Sequence, residues 1–294
     1  MSRVRIATRG SAQARTQSEH VAAEIRRANP KVEVELVFVE TTGDRRQDVS
    51  LHSIGGQGVF VKEVQTAVLE GRADLAVHSA KDLPSTPADG LVIGAFGERR
   101  DPRDVLVGRA LSDLASGATV ATGSVRRRAQ LASLRPDLAF TELRGNIPTR
   151  LERIPVDGAI VMAAAALEIL GWTDRIAQAL DVDRMVPAVG QGAVAIECRH
   201  DDAAVGELLS MVDHGPTRRS VEIERAFLAE LGSGCSLPIG AHDDGGSLRV
   251  FLASDDGRFE HRATVLTERS AVSHGSLLEA ARQAARVARD AVGG

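Results

Sequence analysis

Short apolar runs rich in β-branched residues alternate along this chain with stretches whose apolar positions recur at helical spacing. Residues 4–8 (VRIAT) predict a strand, and Ser11 is placed to cap a helix that must end at Asn29-Pro30. Residues 32–40 predict a second strand, and 41–58 a polar, glycine-bearing loop. A helix follows around 59–71, with Val61, Val64, Val68 and Leu69 expected on one face. Residues 73–79 and 91–96 predict two more strands. After a charged joint at 98–104 the pattern restarts: strands at 105–108 and 119–122, a helix from Ser124, a strand at 138–144, a helix from Asn146 and the apolar run 158–170. Strands separated by helices imply βαβ units and mostly parallel sheets. A strand at 193–199 precedes a break near His214-Gly215-Pro216. Beyond it come a helix (220–231), strands at 248–254 and 259–266, and a long Ala-rich helix, the pattern of a smaller α+β domain. The expected fold is therefore α/β in three domains: 1–97 with 193–213, then 98–192, then 214–294.

Composition narrows the function classes. The 294 residues are 43% hydrophobic and 26% charged, and no window approaches the roughly 18 apolar residues of a membrane span. The expectation is a cytoplasmic protein with no membrane partner, and its polar character makes a monomer the default. A net charge of −4, one Trp, seven Phe and no Tyr argue against nucleic-acid binding. Cys198 and Cys235 are read as reduced thiols. Alternation with Val194 and Ile196 puts Cys198 in the core, whereas Cys235 lies in ELGSGCSLPIG, between two glycines.

Candidate chemistry gathers where strands end, the usual ligand position in open α/β sheets. The junctions are TRGS (8–11), HSAKD (78–82) and ATGSVRRR (121–128). From 126 to 153 the chain holds seven arginines and no lysine, which suits a ligand bearing several carboxylates. Helical spacing turns Arg128 away from Arg126 and Arg127, and Arg128, Arg135 and Arg153 are assigned to the surface. Asp82, after Lys81, has two readings of equal weight: an acid–base group in a positively biased pocket, or the acceptor of an Asx-type turn before Pro84. His78 and His52 are weaker candidates. Neither histidines nor cysteines have metal-ligand spacing, so no metal is expected, and no phosphate loop is present.

The motifs RIATRGS, GVFVKE, RADLAVHSAKDLP, DPRDVLVG, TGSVRR, LRGNIPTRL, PAVGQGAVAIECR and ERAFLAELGSGCSLPIG, in this order, resemble those of the porphobilinogen deaminase (hydroxymethylbilane synthase) family over nearly the whole chain. The resemblance implies a transferase of tetrapyrrole and heme biosynthesis that joins four porphobilinogen molecules head to tail, releases ammonia and yields hydroxymethylbilane. It implies two periplasmic-binding-protein-like domains flanking a cleft, with the Asp82 side on 1–97/193–213 and the arginine side on 98–192. The third domain would carry a dipyrromethane cofactor, thioether-linked to Cys235. By the same resemblance Asp82 is catalytic, and Lys81, Asp82, Ser124, Arg126, Arg127 and Arg144 hold the cofactor. Arg9, Ser11, Thr122, Arg144 and Arg150 are matched to substrate binding. Gln57 and Ile169 stand where family members often carry basic residues. Two other readings remain: a small-anion sensor of the periplasmic type, needing neither Asp82 nor Cys235, and a family member that keeps its cofactor without turnover.

Overall fold

The computed structural model describes residues 2–45, 58, 60–232, 237–254, 256–267 and 273–293. The chain begins with β1 (Arg3–Arg9), α1 (Ala12–Ala28), β2 (Glu33–Val39), α2 (Thr42–Arg45), α3 (Lys62–Leu69), β3 (Leu75–Ser79) and β4 (Leu91–Phe96). It continues through β5 (Asp104–Gly108), β6 (Thr119–Ala121), α4 (Val125–Leu134), β7 (Ala139–Thr141), α5 (Ile147–Leu151), β8 (Ala159–Ala163), α6 (Ala164–Glu168) and β9 (Ile176–Ala179). Then come β10 (Val194–Arg199), α7 (Ala203–Ser210), α8 (Gly215–Leu231), β11 (Ile239–Asp243), β12 (Ser247–Ala253), β13 (Glu260–Leu266) and α9 (His274–Val292). Two compact units result: Met1–Arg99 with Ala193–Arg219, and Arg100–Gly192 with Ser220–Gly294.

The first unit is built on a sheet of order β2-β1-β3-β10-β4. β1 pairs in parallel with β2 and β3, while β10 runs antiparallel to both β3 and β4. Four strands therefore point one way and only β10 opposes them. Both faces of β10 are covered. Val194, Ile196 and Cys198 join Val21 and Ile25 of α1 and Val205 and Leu209 of α7 in one core cluster. The opposite face meets α3, whose Val64, Ala67 and Val68 pack on Ala7 and Ala76.

The second unit repeats this plan as β7-β6-β8-β5-β9, with β6 parallel to β7 and β8 and with β5 antiparallel to β8 and β9. In each sheet the opposing strand is the one that follows a chain crossing, β10 after Gly192 and β5 after Arg100. The remainder of this unit is the antiparallel sheet β11-β12-β13. Phe227 of α8 and Ala281, Ala284, Ala285 and Ala288 of α9 are packed with Val250 and Leu252 of β12. The alanines recur at i, i+3, i+4 and i+7, which lets α9 lie close on the strands. The α/β class with a smaller C-terminal α+β part is thus the observed one.

Local departures have identifiable causes. α8 starts at Gly215, so His214-Gly215-Pro216 is a helix entry rather than a break; Pro216 sits in the first turn, where its missing N–H is not needed. Leu69, expected on the buried face of α3, is 45% exposed, one residue beyond the Val61/Val64/Val68 stripe. Strands β9 and β11 and helices α2 and α7 go beyond the sequence reading. β9 reads IAQA and has little β-branched character to announce it.

Candidate active site

Because β1 and β3 are parallel neighbours, with Ile6 opposite Leu75 and Ala7 opposite Ala76, their carboxyl ends emerge side by side. After β1, Ser11 caps α1 and its Oγ accepts from the Ala14 amide at 3.3 Å. Thr8, fully buried, donates to the Ala14 carbonyl, and the Arg9 guanidinium lies 4.2 Å from the Phe60 ring centroid. After β3 the chain forms a 3-10 turn, Ala80–Asp82, closed by the Leu83 amide donating to the Ala80 carbonyl. The turn needs nothing from the Asp82 side chain. Among the described residues, the half-buried Asp82 carboxylate has no hydrogen-bond or ion-pair partner. The Asx-turn alternative is therefore absent, and the acid stands next to Lys81 at the same sheet end as Arg9 and Ser11. Gln17 of α1 donates from Nε2 to Ser79 Oγ at 3.1 Å and joins the two strand ends.

Behind this edge lies a buried polar group the sequence reading missed. Glu197, 1% exposed on β10, accepts from Gln65 Nε2 at 2.8 Å and lies 3.1 Å from His78 Nε2. His78 is thus a packed residue beneath the strand end, its Nε2 close to Glu197 without a hydrogen bond to it.

In the second unit, β6 and β7 end together. The Thr122 amide donates to the Thr141 carbonyl, Thr122 Oγ1 accepts from the Ser124 amide at 3.2 Å, and Ser124 caps α4. Arg126 and Arg127, 5% and 7% exposed, turn inward onto Asp104, which is 0% exposed. Asp104 was not among the sequence candidates; DPRD reads as a charged joint, and only its place at the start of a buried strand distinguishes it. Burial alone would raise the Asp104 pKa. The charges of Arg126 and Arg127 outweigh burial and hold it far below the usual carboxylate range. Burial pushes Arg127 down from its ordinary value, partly offset by Asp104.

Arg144 follows β7 with its Nε 3.6 Å from Glu142, and Arg150 donates from Nε to the Gly145 carbonyl at 2.8 Å. Gly145 adopts φ 110°, a conformation that glycine takes without strain. Arg128 is exposed, 6.0 Å from the Phe140 ring centroid, and Arg153 is exposed as well. Arg135 is more than a solvated charge: it pairs with Asp137 and donates to the Leu111 and Leu114 carbonyls at 2.8 and 3.1 Å. Its bonds hold loops within the unit and lead to none of the candidate site residues.

Cys198 is 2% exposed in the core beside Val194 and Ile196, and burial pushes its thiol pKa up. Such a thiol is inert. Cys235, Gln57 and His52 lie outside the described residues. Ile169 ends α6, half-buried.

Two family models match in succession. "Porphobilinogen deaminase, dipyromethane cofactor binding domain" covers residues 4–207, and "Porphobilinogen deaminase, C-terminal domain" covers 219–280. The chain belongs to the porphobilinogen deaminase family. It is 47% identical over 271 residues to the porphobilinogen deaminase of Xanthomonas oryzae pv. oryzae, covering 89% of each chain. To that of Brevibacillus brevis it is 43% identical over 276 residues, 90% of this chain and 89% of the relative. Among solved structures, the methionine binding protein MetQ superposes with a TM-score of 0.45 at 13% identity, over 80% of this chain and 96% of its own.

A dipyrromethane bearing acetate and propionate groups asks for concentrated, bidentate cation donors. The second unit supplies a buried one in Arg126, which gives only Nη1 to Asp104 and the Val186 carbonyl, beside a helix N-terminus capped by Ser124, with Arg144 and Arg150 following β7. The donor set fits a porphobilinogen deaminase cofactor. Among the described residues no helix is long and apolar enough to cross a membrane.

Proposed function

We propose that this protein condenses four porphobilinogen molecules head to tail, with release of ammonia, to give hydroxymethylbilane. The chain is built on a dipyrromethane joined to Cys235 by a thioether. The observation that carries the reading is the Asp82 carboxylate, held at the end of β3 by a backbone-closed turn and uncommitted to any described partner. When bound, the dipyrromethane supplies a nucleophilic pyrrole end for chain growth. Asp82 protonates the departing aminomethyl nitrogen and offsets the positive charge that forms on the pyrrole. Arg9, Ser11 and Lys81, at the same sheet end, hold carboxylates of the incoming pyrrole. Thr122, Ser124, Arg126, Arg144 and Arg150 hold those of the cofactor, of the growing chain and of the pyrrole joining it, while Arg127 stays on Asp104. Cys198 has no part in attachment, because a fully packed core position has no room for two linked pyrroles.

In this reading the chain has three domains, 1–97 with 193–213, 98–192, and 214–294, and works as a cytoplasmic monomer on a small-molecule substrate. The test combines intact mass with an assay of porphobilinogen consumption and ammonia release. Protein purified from cells making porphobilinogen should exceed its sequence mass by two linked pyrrole units and should turn over. An unmodified protein with no turnover would return the chain to the small-anion-sensor reading. An adduct without turnover would identify a family member that keeps only its cofactor.

A further inference from the structure

Asp104 divides its two oxygens between two arginines. Oδ2 accepts from Arg126 Nη1 at 2.7 Å, and Oδ1 accepts from Arg127 Nε at 2.9 Å with Nη2 at the same distance. Arg127 places its remaining nitrogen, Nη1, on the Val161 carbonyl at 3.1 Å, so all three of its nitrogens are committed inside the protein. Arg126 directs only Nη1 inward, to Asp104 and to the Val186 carbonyl at 2.6 Å. That leaves outside the pair its Nε–Nη2 edge, the fork that binds carboxylates through two parallel bonds. Gln191 braces the anion from another stretch of chain: its Nε2 donates to Asp104 Oδ1 at 3.0 Å and to the Pro102 carbonyl at 2.7 Å. Two cations against one anion leave a surplus positive charge in a place with little water, which only a further anion would offset.

We infer that Asp104 is a positioning residue of the anion-binding half-site: it fixes Arg127 as a structural counter-ion and turns the outer edge of Arg126 toward a carboxylate of the bound pyrroles. The inference rests on the function proposed above. It separates two arginines that are adjacent and alike in sequence, assigning Arg126 to the ligand and Arg127 to the scaffold. Asp104 itself touches no reacting atom.

The test is Asp104→Asn in the full-length holoprotein, which keeps size and the Gln191 contact but removes the charge. Folding is followed by circular dichroism and melting, adduct by intact mass, and kcat and KM with porphobilinogen. The expected result is a KM raised about tenfold, the effect of one misdirected bidentate contact, with kcat within about threefold of the parent. A merely structural residue would lower the melting temperature and the active fraction while the active protein kept the parental KM, and that result would overturn the assignment. If Asp104→Asn does not fold, Asp104→Asn/Arg127→Gln decides, because it leaves neither partner of the buried pair charged. Arg126 is then equally unanchored: a raised KM supports the inference and a parental KM overturns it. A parent lacking adduct and turnover would sink the proposed function instead, so the two failures are distinguishable.

Discussion

At the scale of single residues, position in the fold separates side chains that composition treats as equals. Asp82 and Asp104 are both aspartates near a strand boundary with basic neighbours, yet one has no described partner and the other satisfies two guanidiniums. Asp82→Asn should therefore leave the melting temperature within about a degree of the parent. It should lower turnover by roughly 10²- to 10⁴-fold, the range for a positioned acid–base group. Turnover within a factor of a few of the parent would make Asp82 a turn residue. The two cysteines divide in the same way. Cys198→Ala should keep the two-pyrrole adduct and most of the activity, at a stability cost of about 1 kcal/mol for a small core truncation. Cys235→Ala should lose adduct and activity together while remaining folded. Peptide mapping reads the attachment site, and an adduct on Cys198 would overturn the mechanism.

At the scale of elements, the alternation of apolar residues was a good guide where strands bury both faces or helices carry a cap. It placed α1 behind Ser11, α4 behind Ser124, and Cys198 on the face of Val194 and Ile196. It was poor where tertiary partners carry the structure. β9 is held by its ladder with β5, not by its own residues, and Glu197 and Asp104 are acids whose burial depends on partners distant in sequence. Of the candidate site, residue types at strand ends were legible; the arginine–aspartate pairing was not, because spacing alone cannot say which charge a guanidinium meets.

The β1–β3 junction gives an element-scale prediction. The ladder between them registers only Ile6 with Leu75 and Ala7 with Ala76, and Asp74 extends it. Asp74 accepts from the Arg5 amide at 2.8 Å and from Arg5 Nη2 at 2.8 Å. Burial would raise its pKa, but the Arg5 bonds and charge outweigh this and lower it. A depressed carboxylate stabilises the fold fully above the unfolded-state value of about 3.9, and that stabilisation is lost as pH falls through the lower folded value. In urea titrations, Asp74→Asn should be less stable than the parent by a constant amount from about pH 7 to pH 5. The gap should close below about pH 4. A gap independent of pH would mean that shape, not charge, links the strands.

At the scale of the whole molecule, the second unit joins two stretches far apart in sequence, Arg100–Gly192 and Ser220–Gly294, and a buried carboxylate makes one of the bonds between them. Glu224 of α8, 0% exposed, accepts from the Gly190 amide at 2.7 Å and from the Asp243 amide at 2.9 Å, with His242 Nδ1 3.5 Å away. It thereby fixes the loop before the chain leaves the unit and the end of β11, while α8 and β11 are the elements on either side of Cys235 in sequence. In Glu224→Gln one acceptor becomes an N–H donor facing another N–H, and the remaining bond loses its charge. The expected cost is about 3 kcal/mol in chemical denaturation, from the loss of charge-assisted bonds in a site without water. Hydrogen exchange should accelerate at Gly190 and Asp243 together, while amides of β1 and β3 in the first unit keep parental protection, since none of their partners changes. A loss below about 1 kcal/mol, or faster exchange at only one of the two amides, would show that the carboxylate does not tie the Gly190 loop to the end of β11.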